Sequence, residues 1–225
     1  MARHLDLEEQ EQLDELKHYW NQYGNAITWI LIVVFGAIAA YNGWNYWERR
    51  QAAQASFLYD EVDRAANAGD AARVEQAFKD IKDKFGRTAY AQQAGLIAAG
   101  VLAERGKPDA AKSALQWVAE DAKDEGLQAI AKLRLAAMLV GAKDYDGALK
   151  QLNSGIPREF EALAADRRGD VYNLQGNKEQ AKLEYMKAWQ AFGADSQYRP
   201  LVEVKLTALG VDVQTLKPAG ETAKS

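Results

Sequence analysis

The sequence predicts an all-α protein in which a single N-terminal transmembrane helix is followed by a solenoid of helical repeats. Three observations carry this expectation. An uncharged apolar run lies near the N-terminus. Apolar residues then recur at three- to four-residue spacing, with no strand-like alternation of any length. One short pattern returns at intervals of 33 to 37 residues.

The apolar run, AITWILIVVFGAIAAY, starts at Ala26, and NGWNYW carries it to Trp47. Residues 26–47 as a helix reach about 33 Å, enough to cross a hydrocarbon core of about 30 Å. Trp29 stands near one end and Trp44, Tyr46 and Trp47 at the other, where amphipathic rings sit at the membrane interface. Glu48, Arg49 and Arg50 then stop the segment. A core helix rarely has aromatic girdles at both ends. A cleaved signal peptide is disfavoured by the long acidic region before the run. Lys17 on one side, against Arg49, Arg50 and Arg64 on the other, leaves the orientation open.

Residues 1–25 form an acidic tail, with Asp6, Glu8, Glu9, Glu11, Asp14 and Glu15 against Arg3 and Lys17. That excess equals the net charge of −4 of the whole chain. Anionic lipid heads do not attract such a tail, and a nucleic-acid partner is excluded by the lack of a basic footprint. Leu5, Leu13, Leu16, Tyr19, Trp20 and Tyr23 give the tail an amphipathic pattern at helical spacing, fit for the membrane interface or a partner, or for a helix that merely leads into the span.

Beyond the span, helices are expected at about 48–68, 70–85, 88–105, 108–124, 126–141, 144–153, 159–175, 177–192 and 197–208, with glycines near the joints. Residues 48–208 form one repeat domain of about four helix pairs and a capping helix, and 209–225 reads as a disordered tail. The recurring pattern is GDAARVEQAF at 69–78, GKPDAAKSAL at 106–115, KDYDGALKQL at 143–152 and GNKEQAKLEY at 176–185. Val74, Ala111, Ala148 and Ala181 hold the same register, at spacings of 37, 37 and 33. This resembles the tetratricopeptide repeat. Gly169, Tyr172, Ala181, Tyr185 and Ala188 occupy its small–aromatic–small–aromatic–small positions in the last copy.

Chemistry finds little to work with. The chain has no Cys, and both histidines, His4 and His18, precede the span, so the domain lacks the commonest general base, zinc ligands and thiol nucleophile. No cofactor or metal is expected. Glu120/Asp121 and Asp124/Glu125 read as solvated helix faces. Asp166, Arg167, Arg168 and Asp170 read as surface pairs worth a few tenths of a kcal/mol.

Several stretches together resemble the ancillary subunit of the SecYEG translocon, the YfgM-type family of tetratricopeptide membrane proteins. They are Glu9-Gln10-Glu11 with Leu16-Lys17, Trp20 and Gly24 before the span, Trp44 to Trp47 closing it, Lys132 to Ala136, and Ala165 to Asp170. The likeness covers residues 9–208. It implies a single-pass inner-membrane protein with a cytoplasmic N-terminus and a periplasmic domain. The implied partners are the SecYEG translocon, a PpiD-type periplasmic chaperone, newly exported polypeptides and membrane lipid.

In a repeat solenoid the first helix of each pair lines the concave face. The register places Leu96, Gly100, Ile130, Leu133, Ala137, Leu163, Asp166 and Asp170 there, where they either bind a partner or pack on neighbouring repeats. Two non-enzymatic functions compete: an adaptor that hands exported proteins to chaperones, and an envelope-assembly or cell-division scaffold unrelated to export.

Overall fold

The computed structural model describes residues 7–193 and 195–213, and among these it is helical with no strand. Nine helices follow in order: α1 Leu7–Asn67, α2 Ala71–Phe85, α3 Ala89–Glu104, α4 Pro108–Asp121, α5 Glu125–Gly141, α6 Tyr145–Asn153, α7 Arg158–Leu174, α8 Lys178–Ala191 and α9 Arg199–Ala208. The chain divides into two compact units, Met1–Gln51 and Ala52–Ser225.

Hydropathy suggests three pieces where α1 has one. The segment holds no proline, and although Asn25 directly follows Gly24, the helix runs on through both without a break. One stretch of α1 after Lys17 is long and apolar enough to cross a membrane, and it is almost wholly exposed. Ile30, Val33 and Phe35 point outward along it, and Trp29, Trp44, Tyr46 and Trp47 stand exposed too. The rings of Trp44 and Trp47 lie 5.5 Å apart.

The second unit builds its pairs with one recurring turn. Gly69, Gly106 and Gly176 have φ of +65°, +73° and +79°, and Lys143 takes the same place with φ +61°. After each, the next amide reaches back to a carbonyl one turn up: Asp70 to Ala65, Lys107 to Leu102, Asp144 to Leu139, Asn177 to Tyr172. This is the Schellman ending of a helix. The residue after the turn then caps the next helix. Asp70, Asp144 and Asn177 accept from the amides of Arg73, Gly147 and Gln180. Lys107 lacks such a bond, and Pro108 opens α4 instead. Asp124, which the sequence suggests is merely solvated, caps α5 through Leu127.

Val74, Ala111, Ala148 and Ala181, the residues in repeat register, are all fully buried. Two glycines permit close helix approach. A Cβ on Gly95 would lie 2.6 Å from Val118 Cγ2, and one on Gly169 would enter the ring of Tyr185. The core falls into two clusters. The larger runs from Ala55 to Val171, and the smaller joins Ala165, Ala181, Tyr185, Ala188, Trp189, Val202 and Leu206 under α9. Leu209, Val211 and Val213 pack against the smaller cluster, so the packed region extends to Val213. Residues 214–225 of the expected disordered tail lie outside the described residues, as do residues 1–6 of the acidic tail, Leu5 among them.

Candidate functional site

The odd-numbered helices line one face of the second unit: α3 touches α5, and α5 touches α7. This face behaves differently along its length.

Toward its start lies a groove of about 430 Å³. It is lined by Tyr59 of α1, by Gln93, Leu96, Ile97, Gly100, Val101 and Glu104 of α3, and by Arg134 of α5. Tyr59 is braced by Tyr90, ring centroids 5.6 Å apart. Arg134 crosses from α5 and donates from Nη1 to the Leu96 carbonyl at 3.1 Å. That single bond engages one of its five N–H donors, and no carboxylate stands within ion-pair distance of it among the described residues.

Toward its end the same face is shut. Asp166 is fully buried, and Lys205 of α9 donates to both its oxygens at 2.7 and 2.9 Å. The Tyr198 hydroxyl donates to Asp166 as well, at 3.1 Å. Asp170 accepts from the Tyr185 hydroxyl at 2.8 Å and pairs with Lys205 at 2.7 Å. Burial alone would pull the Lys205 ammonium down, but the two carboxylates outweigh it and hold it above its ordinary value. Burial first, and then the neighbouring carboxylates, push the Tyr185 and Tyr198 hydroxyls up.

Arg168, on the opposite side of α7, is also buried. It donates to Glu184 at 2.7 Å, to the Leu152 carbonyl at 3.0 Å and to Glu161. Desolvation opposes its charge, yet the two glutamates outweigh that and hold it above its ordinary value. Glu184 would be raised by burial, but Lys187 and Arg168 hold it below the usual range. A polar hollow of about 350 Å³ beside this pair is therefore lined by groups already engaged with one another.

The expectation of weak surface pairs at 166–170 is thus corrected. Asp166 and Asp170, one turn apart, share the side of α7 that Lys205 of α9 reaches, while Arg168, two 100° steps from Asp166, turns to Glu184 of α8. Only Arg167 stays exposed, 3.4 Å from Asp170.

Of the residues the register places on this face, Leu96 and Gly100 meet in the groove. Ile130 and Leu133 are half-buried against the larger cluster. Leu163 is half-buried and Ala137 is exposed. Asp166 and Asp170 come together with each other under α9, apart from the groove. The sequence reading of the face omits Tyr59, Arg134 and Lys205. For Lys205 a signal exists: it falls between Val202 and Leu206, on the face of α9 that must be buried.

Comparison with known proteins covers nearly all of this. A family model described as a tetratricopeptide repeat-like domain matches residues 17–211, taking in the apolar stretch of α1 as well as every repeat. A protein of Neisseria gonorrhoeae named ancillary SecYEG translocon subunit is 31% identical over 93% of this chain and 100% of its own length. The chain belongs to this family. Proteins of the same name from Haemophilus influenzae and Escherichia coli are 32% and 29% identical, over 82% and 90% of this chain and 90% and 97% of their own lengths. The groove and the α9 closure both lie within the matched region.

Proposed function

We propose that this chain is a non-enzymatic adaptor of the inner membrane, anchored by residues 26–47 and associated with the Sec translocon. The observation that carries the reading is the full-length match to proteins named ancillary SecYEG translocon subunit. The anchor fits it: an apolar, exposed helix segment with aromatic residues at both ends is stable in lipid and costly in water.

In this reading the N-terminus is cytoplasmic and the repeat domain periplasmic. Its open face receives newly exported polypeptides and a membrane-anchored chaperone of the PpiD type. Repeat solenoids suit such work because they present extended surface on a rigid stack. Purification in mild detergent with identification of partners tests it. Recovery of the translocon together with an envelope chaperone supports the adaptor. Recovery of envelope-assembly or division proteins without the translocon favours the scaffold alternative. A reporter fused after residue 225 tests the orientation, and activity on the cytoplasmic side would overturn it.

A further inference from the structure

We infer that the groove between α1, α3 and α5 seats one partner polypeptide segment that carries an apolar side chain beside a carboxylate. This deepens the adaptor reading and rests on it for the class of partner.

The first support is a glycine without a packing reason. Three glycines lie well inside helices of the second unit: Gly95, Gly100 and Gly169. Gly95 and Gly169 are required by neighbours that a Cβ would strike. Gly100 is different: nothing lies within 4 Å of where its Cβ would be, and its φ is not positive. A helix-interior glycine weakens a helix relative to alanine, so the fold gains nothing from Gly100. What glycine does provide is bare backbone on the groove floor between Leu96, Ile97 and Val101. That is room for a side chain from elsewhere.

The second support is charge. Arg134 is exposed at the rim, where its Nη1 donates to the Leu96 carbonyl, and it has no carboxylate partner among the described residues. Its remaining N–H donors form a planar fork suited to a carboxylate. Glu104 lies eight residues along α3 from Leu96, about 12 Å on a helix. The groove therefore has a cationic and an anionic end. An acidic group on the occupant belongs at the Arg134 end, with its apolar neighbour over Gly100 against Tyr59.

The test uses the full-length protein in lipid nanodiscs and an array of capped octapeptides. Each has a central Leu, Ile or Phe followed by Asp, Asn or Lys. Expected is binding of the Asp set about tenfold tighter than the Asn set, with the Lys set weakest. R134Q should erase that order. G100A should raise the melting temperature by about 2–4 °C while weakening every set several-fold, because its methyl fills the floor. Equal binding of the three sets, an order that survives R134Q, unchanged affinity in G100A, or a lowered melting temperature in G100A would each overturn the inference. Failure here with intact recovery of the translocon rejects the groove assignment alone. Loss of translocon recovery by the wild-type chain rejects the adaptor reading.

Discussion

The two ends of one helical face make opposite use of charge. At the start, Arg134 stands at the lip of an apolar groove with no acid beside it. At the end, Asp166 and Asp170 occupy comparable positions on α7, but Lys205 of α9 reaches over and pairs with both. A solenoid must close its last pair, and here the closure is ionic as well as apolar. The same face therefore contributes stability at one end and leaves an exposed cation without a carboxylate partner at the other. Stability and binding should respond to different residues.

The largest expected effect lies at the closed end. Asp166→Ala removes a fully buried carboxylate and leaves the half-buried Lys205 with only Asp170, which should cost about 3 kcal/mol, since breaking one side of such a pair exceeds the net worth of the pair. Thermal unfolding should show a drop of roughly 6–12 °C. Arg134→Ala at the open end should move the midpoint by a small fraction of that. Equal losses at the two sites would erase the distinction. Next comes Gly169→Ala, which forces a methyl into the Tyr185 ring and should cost about 1–3 kcal/mol by overpacking. Loosening α7 from α8 in this way should lower the denaturant midpoint.

A smaller effect is expected in the turns. Lys143 adopts the left-handed conformation that glycine fills in the other three copies. Lys143→Gly should stabilise by about 1 kcal/mol. Gly106→Ala, where a Cβ meets only open space, should destabilise by a similar amount through conformation alone. Paired melting curves give both signs.

The smallest effect is alkaline. Lys205, Tyr185 and Tyr198 are all held above their ordinary values. In the unfolded chain such groups lose protons near pH 10 while the folded forms keep theirs. Their contribution is complete below about pH 10 and is lost as pH rises beyond it. Glu184, held below its ordinary value, acts oppositely: its contribution is present above about pH 4.3 and fades as pH falls. Melting temperatures at pH 7, 9, 10.5 and 11 should decline only in the last two. Asp166→Ala should flatten that decline.

Much of the fold can be read from local pattern. Turn glycines at a fixed register, capping Asp and Asn after them, and buried Val74, Ala111, Ala148 and Ala181 are consequences of short-range chemistry. Most helix boundaries expected from spacing fall within a few residues of those observed. The unbroken α1 is harder to foresee, because a change of hydropathy at Trp47 looks like an end although nothing there interrupts the backbone. The site residues are harder still. Asp166 meets Lys205 across 39 positions, and Arg134 meets Leu96 across 38. No local spacing encodes either pairing. Leu96 and Gly100 emerge from the repeat register because it reports which helix face is inner. The register cannot report that α9 covers that face at Asp166.

The most direct test places a photo-crosslinking residue, one at a time, at Gly100, Ala137 and Val204 in membranes that contain the translocon. An open start and a closed end predict adducts with translocon, chaperone or exported chains from positions 100 and 137. Position 204, on the outer side of α9, should give none. Adducts from 204 alone, or only with abundant unrelated proteins, would contradict it.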